Sequence, residues 1–541
     1  MSEKRFEKNI KVTFQPENRQ VRVSSDATVS DAAVIAGILL DFPCGGEGKC
    51  GKCVVRIEGG VSAPTRKEIE VLGKDRISSG FRLACQTLIE ATCTVFILDI
   101  PQIADKKSGI LSGGDRKVVL PEEITGICSE PLGAAIDIGT TNLSISILDL
   151  ENGKRLAVSS ADNPQRQFGA DVITRISRCM KDPRAVEDMR RMVISALNDC
   201  IEKTCAQFGF DINRIVRLVA VGNTAMLSLA LGINPTSLGH SPYTPPFTGP
   251  LSIPVAETGL LGNERARLDV PRIISGFLGA DITSGLLWTR IHVRNKASAL
   301  VDLGTNGEIA FARKGKIMAC STAAGPAFEG SQISCGMRAV PGAIEYFNRD
   351  KDLSPHVLGG GVPKGICGSG ILDACALLLD AKLITQRGRL VSPSGGGKLA
   401  KERIRDFDSS RAFVLYPGYE LFLTQEDIRQ VQLAKSAIAS GFKVLSDVFL
   451  EKEETLEKIW IAGAFGNFLK PDSVVRIGII PRQYLSRMAM AGNAALLGAE
   501  MMLASTQAFE EANVIASNTA PVELSGNPLF EKEFYKNLLF P

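Results

Sequence analysis

The stretch AAIDIGTTN, residues 134–142, decides how the larger part of this chain is interpreted. A short apolar run leads to an aspartate and a Gly-Thr turn, which predicts a buried strand, a tight turn and a second strand. The stretch ALVDLGTNGE, residues 299–308, repeats the pattern, and its aspartate follows the first by 165 residues. The repeat indicates an internal duplication and therefore two lobes of similar construction.

Both turns have the groups that bind phosphate. Backbone N–H groups and threonine hydroxyls at a glycine turn are suited to cradling phosphate oxygens. Two such turns that face each other across a cleft would hold the phosphates of a nucleotide between them. Asp137 and Asp302 would then hold Mg²⁺, usually through water.

A cysteine-rich stretch, DFPCGGEGKCGKC at residues 41–53, stands apart from the duplicated region. Cys44, Cys50 and Cys53 follow the spacing C-x5-C-x2-C, and Cys85 comes 32 residues after the third. The interleaved glycines allow positive φ and let backbone N–H groups approach bridging sulfides, as a 2Fe–2S cluster requires. A zinc site is the main alternative, because C-x2-C pairs also bind zinc.

The residues around these cysteines predict a small mixed domain. Residues 9–24 alternate apolar and polar about Pro-Glu-Asn, as a β-hairpin does. A helix is expected after Thr28 or Ser30, either of which can cap it. Cys93 lies in ATCTVFILDI, residues 91–100, whose alternation predicts a strand and not a metal loop.

Composition limits the functional classes. The chain has 541 residues, so two to four domains are expected. A net charge of +3 with dispersed basic residues gives no footprint for nucleic acid or membrane. The polar N-terminus and the lack of a long apolar run predict a cytoplasmic protein without a membrane span.

Residues 5–100 resemble the β-grasp ferredoxins. That resemblance implies a one-electron carrier of low potential, ligated by the four cysteines named above. The connector, residues 102–130, follows; Lys, Ser, Gly and Asp dominate it, and it is expected to be loosely packed.

Residues 131–541 resemble the ATP-binding group of actin, Hsp70 and the sugar kinases. The resemblance implies two ribonuclease-H-like lobes that close on ATP, the second starting near residue 297. Residues 137–142 and 302–308 match its two phosphate loops, and residues 459–469 match its adenosine-side motif. The implied nucleotide-binding residues are Gly139, Thr140, Thr141, Asn142, Gly304, Thr305, Asn306, Gly307, Glu308, Gly463, Gly466 and Asn493.

Other segments receive narrower expectations. Residues 322–336 should line the cleft, with Glu329 as a candidate for positioning water. Residues 489–500 resemble the second connecting helix, with small residues that permit tight helix crossing, and residues 219–226 match the first connecting segment. GGGV at residues 359–362 is expected to be a plain loop. The three histidines are isolated in sequence and predict no metal site: His240, His292 and His356.

Together the two parts resemble the reductive activators of corrinoid proteins, and residues 163–176 and 221–226 look like segments of that family. The resemblance implies ATP-dependent reduction of cob(II)alamin to cob(I)alamin on a methyl-transfer partner, with a low-potential electron donor upstream. A homodimer is a further candidate assembly. A small-molecule kinase and a redox-sensing, chaperone-like switch are the alternatives.

Overall fold

The N-terminal domain is a five-stranded mixed sheet, and two larger lobes follow it along the chain. A computed structural model describes residues 10–15, 18–36, 38, 48, 51, 53–97, 118–330, 332–350, 353–407, 410–463 and 469–541. The elements of the first domain are β1 (Ile10–Gln15), β2 (Arg19–Val23), α1 (Val29–Ile35), β3 (Val54–Val61), α2 (Arg66–Leu72), α3 (Lys74–Ser78), β4 (Phe81–Leu83) and β5 (Ile89–Phe96). Its strand order is β2-β1-β5-β3-β4.

The local predictions for this domain are confirmed. β1 and β2 form the expected antiparallel hairpin, with Val12 opposite Val21. Thr28 caps α1: its hydroxyl accepts from the Asp31 N–H at 3.1 Å, and Asp31 Oδ2 accepts from the Thr28 N–H at 2.8 Å. Cys93 lies inside β5, where it is buried in the domain core.

The first lobe is built on a six-stranded sheet with the order β10-β11-β9-β6-β7-β8. Three antiparallel strands come first, and β9 then pairs parallel to β6. Its elements are β6 (Leu132–Ile138), β7 (Asn142–Asp149), β8 (Arg155–Asp162), α4 (Val172–Lys181), α5 (Ala185–Phe208), β9 (Ile215–Gly222), α6 (Thr224–Ala230), β10 (Leu251–Pro254), α7 (Val255–Thr258), β11 (Arg267–Val270) and α8 (Ala280–Thr289).

The second lobe repeats this plan. Its main sheet also has six strands, in the order β22-β21-β12-β13-β14-β23, and two three-stranded sheets accompany it, β16-β15-β17 and β18-β19-β20. The strands are β12 (Ser298–Leu303), β13 (Gly307–Arg313), β14 (Lys316–Thr322), β15 (Ala343–Phe347), β16 (Pro355–Val357), β17 (Gly365–Ile366), β18 (Ile404–Phe407), β19 (Ser410–Val414), β20 (Phe422–Thr424), β21 (Lys458–Ala462), β22 (Met488–Gly492) and β23 (Thr519–Pro521). The helices that follow along the chain are α9 (Gly368–Asp380), α10 (Gly397–Arg403), α11 (Gln425–Phe449), α12 (Pro471–Arg476), α13 (Ala494–Ala504), α14 (Thr506–Asn518) and α15 (Pro528–Asn537). Of these, α13 and α14 pack into the core of the first lobe.

In each lobe a buried central strand carries the repeated aspartate at its C-terminal end. Asp137 is the sixth residue of β6, and Asp302 is the fifth of β12. The apolar residues before each aspartate are fully buried, so both carboxylates are fixed at the edge of a rigid sheet. The duplication inferred from sequence is therefore a duplication of structure.

The last part of the predicted connector packs on the ATPase-like lobes. Ile124 is buried in the core of the first lobe. Val119 exchanges backbone hydrogen bonds with residues 504 and 506, at 3.0 and 2.9 Å. The prediction of a loosely packed connector is thus wrong for residues 118–130, whose apolar side chains find a surface to cover; residues 102–117 lie outside the described residues.

Candidate functional site

Two of the four predicted cluster cysteines lie together in the N-terminal domain. The Sγ atoms of Cys53 and Cys85 are 3.4 Å apart, and neither residue forms a disulfide. Two thiolates on one tetrahedral metal ion, each about 2.3 Å from it, lie about 3.8 Å apart. The pair therefore fits ligation of a shared iron; Cys44 and Cys50 lie outside the described residues.

The two described glycines of this loop have the backbone conformation that their role requires. Gly48 and Gly51 have φ values of +73° and +64°, which side chains with a Cβ rarely adopt. A Cβ on Gly48 would lie 2.7 Å from the Gln86 side chain. The Gln86 amide in turn donates to the Cys85 sulfur at 3.7 Å, an interaction of the kind that tunes a cluster's potential.

The backbone carbonyls of the first phosphate loop accept hydrogen bonds from residues packed on one side of the loop. The carbonyls of Gly139 and Thr141 accept from the side chain and backbone N–H of Asn163 at 2.8 and 2.7 Å, and the Thr140 carbonyl accepts from Arg175 at 2.6 Å. Because a peptide's N–H points opposite to its C=O, the N–H groups of Thr140 and Thr141 face away from these donors. A Cβ on Gly139 would lie 2.6 Å from the Asn142 carbonyl, so the tight turn requires glycine.

The sequence did not predict a role in the site for three residues around this loop: Arg175, Asn163 and Asn223. Arg175 and Asn163 are fully buried, and Asn223 donates to the Thr140 hydroxyl at 3.0 Å. Burial lowers the pKa of Arg175 to about 10, which leaves the guanidinium charged at neutral pH. The signal in the sequence was that Asn163 and Arg175 fall in residues 163–176, and Asn223 in residues 221–226, the two segments that resemble corrinoid-activator segments.

The second phosphate loop meets the first directly. The hydroxyls of Thr141 and Thr305 are 2.9 Å apart, and the Thr305 hydroxyl donates to the Glu329 carboxylate. Thr141 also hydrogen-bonds Glu329. Glu329 therefore lies at the junction of the two loops, in the predicted segment between β14 and β15.

Several carboxylates converge at this junction. Burial raises the pKa of Asp302 to about 8, and the charges of Asp281 and Asp137 add to the shift. Burial likewise raises the pKa of Asp137 to about 7, against the effect of the Asn493 amide, which donates to it at 2.9 Å. Glu308, opposite Asp302 in the sheet, has a pKa well above the ordinary range for the same reason. The Arg175 charge acts on Glu329, but among the described residues no positive charge lowers the pKa of Asp302 or Glu308. A divalent cation would balance these two carboxylates.

Asp281, at the start of α8, is another site residue that was not predicted from the sequence. Burial raises the pKa of its carboxyl to about 6. No motif marks it in sequence, since it stands in an ordinary helix start. Its place in the site follows from the packing of α8 between the lobes.

The connecting helices are α8 and α13. A Cβ on Gly498 of α13 would lie 2.1 Å from the Ser284 carbonyl of α8, which confirms the tight crossing expected for residues 489–500. The assignment of residues 219–226 as the other connecting segment is wrong. They form the end of β9 and the start of α6, whereas α8 crosses α13.

On the adenosine side, Gly463 directly follows β21, has a φ of +142° and donates its N–H to the Gly492 carbonyl at 3.1 Å. Gly466 lies outside the described residues. Asn493 has two contacts: it donates to Asp137 and caps α13 by accepting from the Leu496 N–H at 2.9 Å. In the described part of the chain, no helix is long and apolar enough to cross a membrane.

The fold and the two sites define an iron–sulfur protein joined to an ATPase of the actin, Hsp70 and sugar-kinase type. Comparison with known families agrees along the chain. Family models match the 2Fe-2S iron-sulfur cluster binding domain at residues 12–90, the RACo middle region at residues 132–294, and the C-terminal domain of RACo, the ASKHA domain, at residues 296–541.

Individual relatives narrow the assignment. The corrinoid activation enzyme RamQ of Eubacterium limosum is 31% identical over 590 residues, covering 98% of this chain and 99% of the relative. A Co(II) methylated amine-specific corrinoid protein reductase of Methanosarcina barkeri is 28% identical over 407 residues, covering 69% and 70%. The solved structure of a reductive activator for corrinoid, iron-sulfur protein matches with a TM-score of 0.74 and 29% identity over 98% of each chain. The chain belongs to the family of reductive activators of corrinoid proteins.

Proposed function

We propose that this chain uses ATP to drive one electron from its 2Fe–2S cluster to the cobalt of a corrinoid methyl-transfer protein. Cob(II)alamin gains the electron and becomes cob(I)alamin, while the reduced cluster loses one electron. A low-potential donor then reduces the cluster again. The observation that carries the proposal is that the cluster domain contacts both ATPase lobes within one chain.

The contacts to the first lobe come from β2. Arg19 donates to the Leu156 carbonyl of β8, and its guanidinium lies 5.4 Å from the centre of the Phe208 ring at the end of α5. β8 is continuous with the turn that carries Asn163, the residue that holds the first phosphate loop. A shift of that loop would therefore move the surface on which the cluster domain rests.

The contacts to the second lobe use the glycine loop at residues 359–362. The Ser24 hydroxyl donates to the Gly359 carbonyl at 2.6 Å, and both Asp26 oxygens accept from the Gly361 N–H at 2.9 and 3.0 Å. A Cβ on Gly360 would lie 2.2 Å from the Asp26 carboxylate. The loop is plain in sequence, but in the fold it is a docking surface for the cluster domain.

Nucleotide binding between the lobes supplies the coupling. Asp137 and Asp302 would hold Mg²⁺, most simply through water, and Mg²⁺ would neutralise charge on the phosphates. The N–H groups of Thr140 and Thr141 would donate to phosphate oxygens. Glu329, which accepts a hydrogen bond from Thr305 between the two loops, would orient a water molecule near the terminal phosphate.

Energy is needed because the acceptor lies below the cluster in potential. A gap of about 59 mV changes a one-electron equilibrium tenfold. An ATP state and an ADP state that bind the partner differently can shift the equilibrium by their difference in binding free energy. Assembly of the chain as a homodimer stays a prediction.

The test uses the full chain with its cluster, a low-potential reductant, MgATP and a Co(II) corrinoid protein. The cobalt absorption spectrum should show Co(I), or its methylated product, only when ATP is present. Cys50→Ala should abolish the reaction, whereas Cys128→Ala, which removes a half-buried thiol beside the first lobe, should leave it unchanged. Equal rates without ATP, or with Cys50→Ala, would refute the mechanism.

A further inference from the structure

Two carboxylates and one imidazole converge where the cluster domain meets the second lobe. Asp31 comes from α1, Glu345 from β15 and His356 from β16, and one ligand atom of each lies within 4.8 Å of the other two. Asp31 and Glu345 are both fully buried. The set is separate from the cluster cysteines and from the phosphate loops.

Within the described part of the chain, the Glu345 carboxylate has no hydrogen-bond partner. Among the described residues, no donor reaches either oxygen of its carboxylate, which is 0% exposed. A buried ionised carboxylate without a partner is strongly disfavoured. Burial raises the pKa of Glu345 well above its ordinary range, and the charge of Asp31 adds to that shift.

The backbone aims Glu345 at this point through an irregular strand pair. In the antiparallel pair of β15 and β16, Ile344 is opposite Val357 and Tyr346 is opposite His356, so Glu345 is an extra residue on its strand. Such a bulge turns a side chain to a direction that a regular strand would not give it. Here it places an acidic side chain in a buried position.

The other two side chains are oriented by their neighbours. The His356 ring stacks on Tyr346, with centroids 4.3 Å apart and an interplanar angle of 12°, and its Nε2 lies 3.2 Å from Asp31 Oδ1. The second Asp31 oxygen accepts the Thr28 N–H. Contacts of this kind orient the ligands of metal sites.

A lysine near this cluster, Lys470, already has other partners. Lys470 lies over the Tyr346 ring, 4.4 Å from its centre, and forms an ion pair with Asp373 at 3.1 Å. It therefore compensates a different carboxylate. Two acidic oxygens and one imidazole nitrogen are left facing one another.

We infer that Asp31, Glu345 and His356 form a binding site for a divalent transition-metal ion of the zinc class. A dication balances two carboxylates, and an imidazole ligand favours zinc-like ions over Mg²⁺ or Ca²⁺. Ligands about 2.1 Å from a tetrahedral ion lie about 3.4 Å apart. Since all three ligand atoms lie within 4.8 Å of one another, no pair needs to close by more than about 1.4 Å. Three protein ligands leave a fourth position for water.

The site would join the two parts of the chain. One ligand belongs to the cluster domain and two belong to the second lobe, next to the docking loop at residues 359–362. The Cys85 thiolate is close enough for its charge to contribute to the raised pKa of Tyr346. A bound ion would therefore fasten the cluster domain to the ATPase on the side of the cluster.

The experiment measures metal content and is independent of corrinoid reduction. The full chain with its cluster is freed of loosely bound metal by a chelator and dialysed against graded Zn²⁺, and zinc and iron are counted by elemental analysis. One Zn²⁺ per chain should bind in addition to the iron. Glu345→Gln, Asp31→Asn and His356→Gln should each weaken zinc binding at least about tenfold.

Controls separate the site from other zinc ligands. Glu345→Gln is isosteric with the protonated carboxyl, so the variant should keep the fold and the visible spectrum of the cluster. His240→Gln removes an exposed histidine and should bind zinc as the unaltered chain does. Chains that lack the cluster could bind zinc at their free cysteines. The amount of zinc bound in this way depends on the iron content, so it should be the same in all variants that are compared at equal iron content.

Two results would overturn the assignment. The first is zinc binding that is absent, or equal in the unaltered chain and in Glu345→Gln; the three groups would then share a proton instead of an ion. The second is displacement of Zn²⁺ by an equal concentration of Mg²⁺, which would exclude a site selected by imidazole.

Discussion

The two phosphate loops share one sequence pattern but lie in opposite electrostatic surroundings. Around the first loop, neutral amides and a buried guanidinium donate to its carbonyls, and the Asn493 amide donates to Asp137. Around the second loop, Asp302 faces Glu308 and Asp281, and in the described residues no side chain donates to Asp302. A duplicated motif has therefore diverged in its surroundings.

The difference indicates that the two loops have different roles, the first in binding phosphate and the second in binding a cation. Donors behind the first loop fix its shape before any ligand arrives, so it can serve as a rigid cradle for phosphate. The second loop carries charge that is costly until a cation enters. Changes at the second loop should therefore affect cation-dependent steps, and changes at the first should affect stability as well.

The largest effect is expected for Asp302→Ala. Loss of this carboxylate should remove ATP-stimulated reduction of the corrinoid almost completely, by more than about a hundredfold, because the cation loses a direct or water-mediated ligand. The measurement is the rate of Co(I) formation with and without MgATP. The visible spectrum of the cluster should be unchanged; its loss would show that the two domains do not fold independently.

Arg175→Met should have a mixed effect. Methionine keeps much of the side-chain volume but leaves the carbonyls of Thr140 and Gly169 without their donor. Each buried carbonyl without a hydrogen-bond donor costs about 1–3 kcal/mol, so the free energy of unfolding should fall by about 3 kcal/mol. The affinity for ATP should fall as well. Chemical denaturation and nucleotide titration measure the two effects.

The matched control lies one turn along the same helix. Arg178 is half exposed and pairs with Asp182, so Arg178→Met should change stability by less than about 1 kcal/mol. Equal losses for the two variants would mean that the donors behind the first loop do not fix it.

Sequence was sufficient for the features whose residues are close together in the chain. The Gly-Thr turns, the capped helix after Thr28 and the strand around Cys93 each follow from a few neighbouring residues. The duplication supplied the inference of longest range, that Asp137 and Asp302 would approach each other. It rested on repetition of a local pattern and not on any direct sign of contact.

The sequence did not predict which side chains from distant elements contact one another. Asp281 lies in the cleft because α8 crosses α13, and no motif around Asp281 predicts that position. His356 is isolated in sequence, yet it stands beside Asp31, which is 325 residues away. Side chains brought together by domain packing leave no spacing that a motif could record.

The pH dependence of cation binding should also distinguish the two loops. The pKa values of Asp137 and Asp302 are raised to about 7 and about 8, so both carboxyls hold protons below neutrality when no cation is present. Because the raised values favour the protonated folded state, their contribution to stability is lost as pH rises through 7 and 8. Mg²⁺ replaces the protons, so stabilisation by MgATP should be larger at pH 8.5 than at pH 6.

Thermal unfolding with and without MgATP at several pH values measures this dependence. Asp302→Asn should remove the upper part of the rise, near pH 8, and leave the part near pH 7. A stabilisation that is independent of pH in the unaltered chain would contradict the assignment of these carboxyls to the cation.

The smallest effect is expected for Asn493, where stability and electrostatics can be separated. Its side chain caps α13 and also donates to Asp137, an interaction that lowers the pKa of that carboxyl. Asn493→Ala should cost about 1 kcal/mol of unfolding free energy through the lost cap, and should weaken MgATP binding a few-fold at pH 7. The weakening should disappear above pH 9, where Asp137 is ionised in either chain.

Asn493→Ser isolates the second contribution. Serine retains an oxygen that can cap the helix but has no amide to donate to Asp137. This variant should therefore unfold like the unaltered chain in denaturant, while its MgATP affinity at pH 7 should fall as in Asn493→Ala. If serine restores both properties, the amide does not support Asp137, and the first loop is less different from the second than its hydrogen bonds imply.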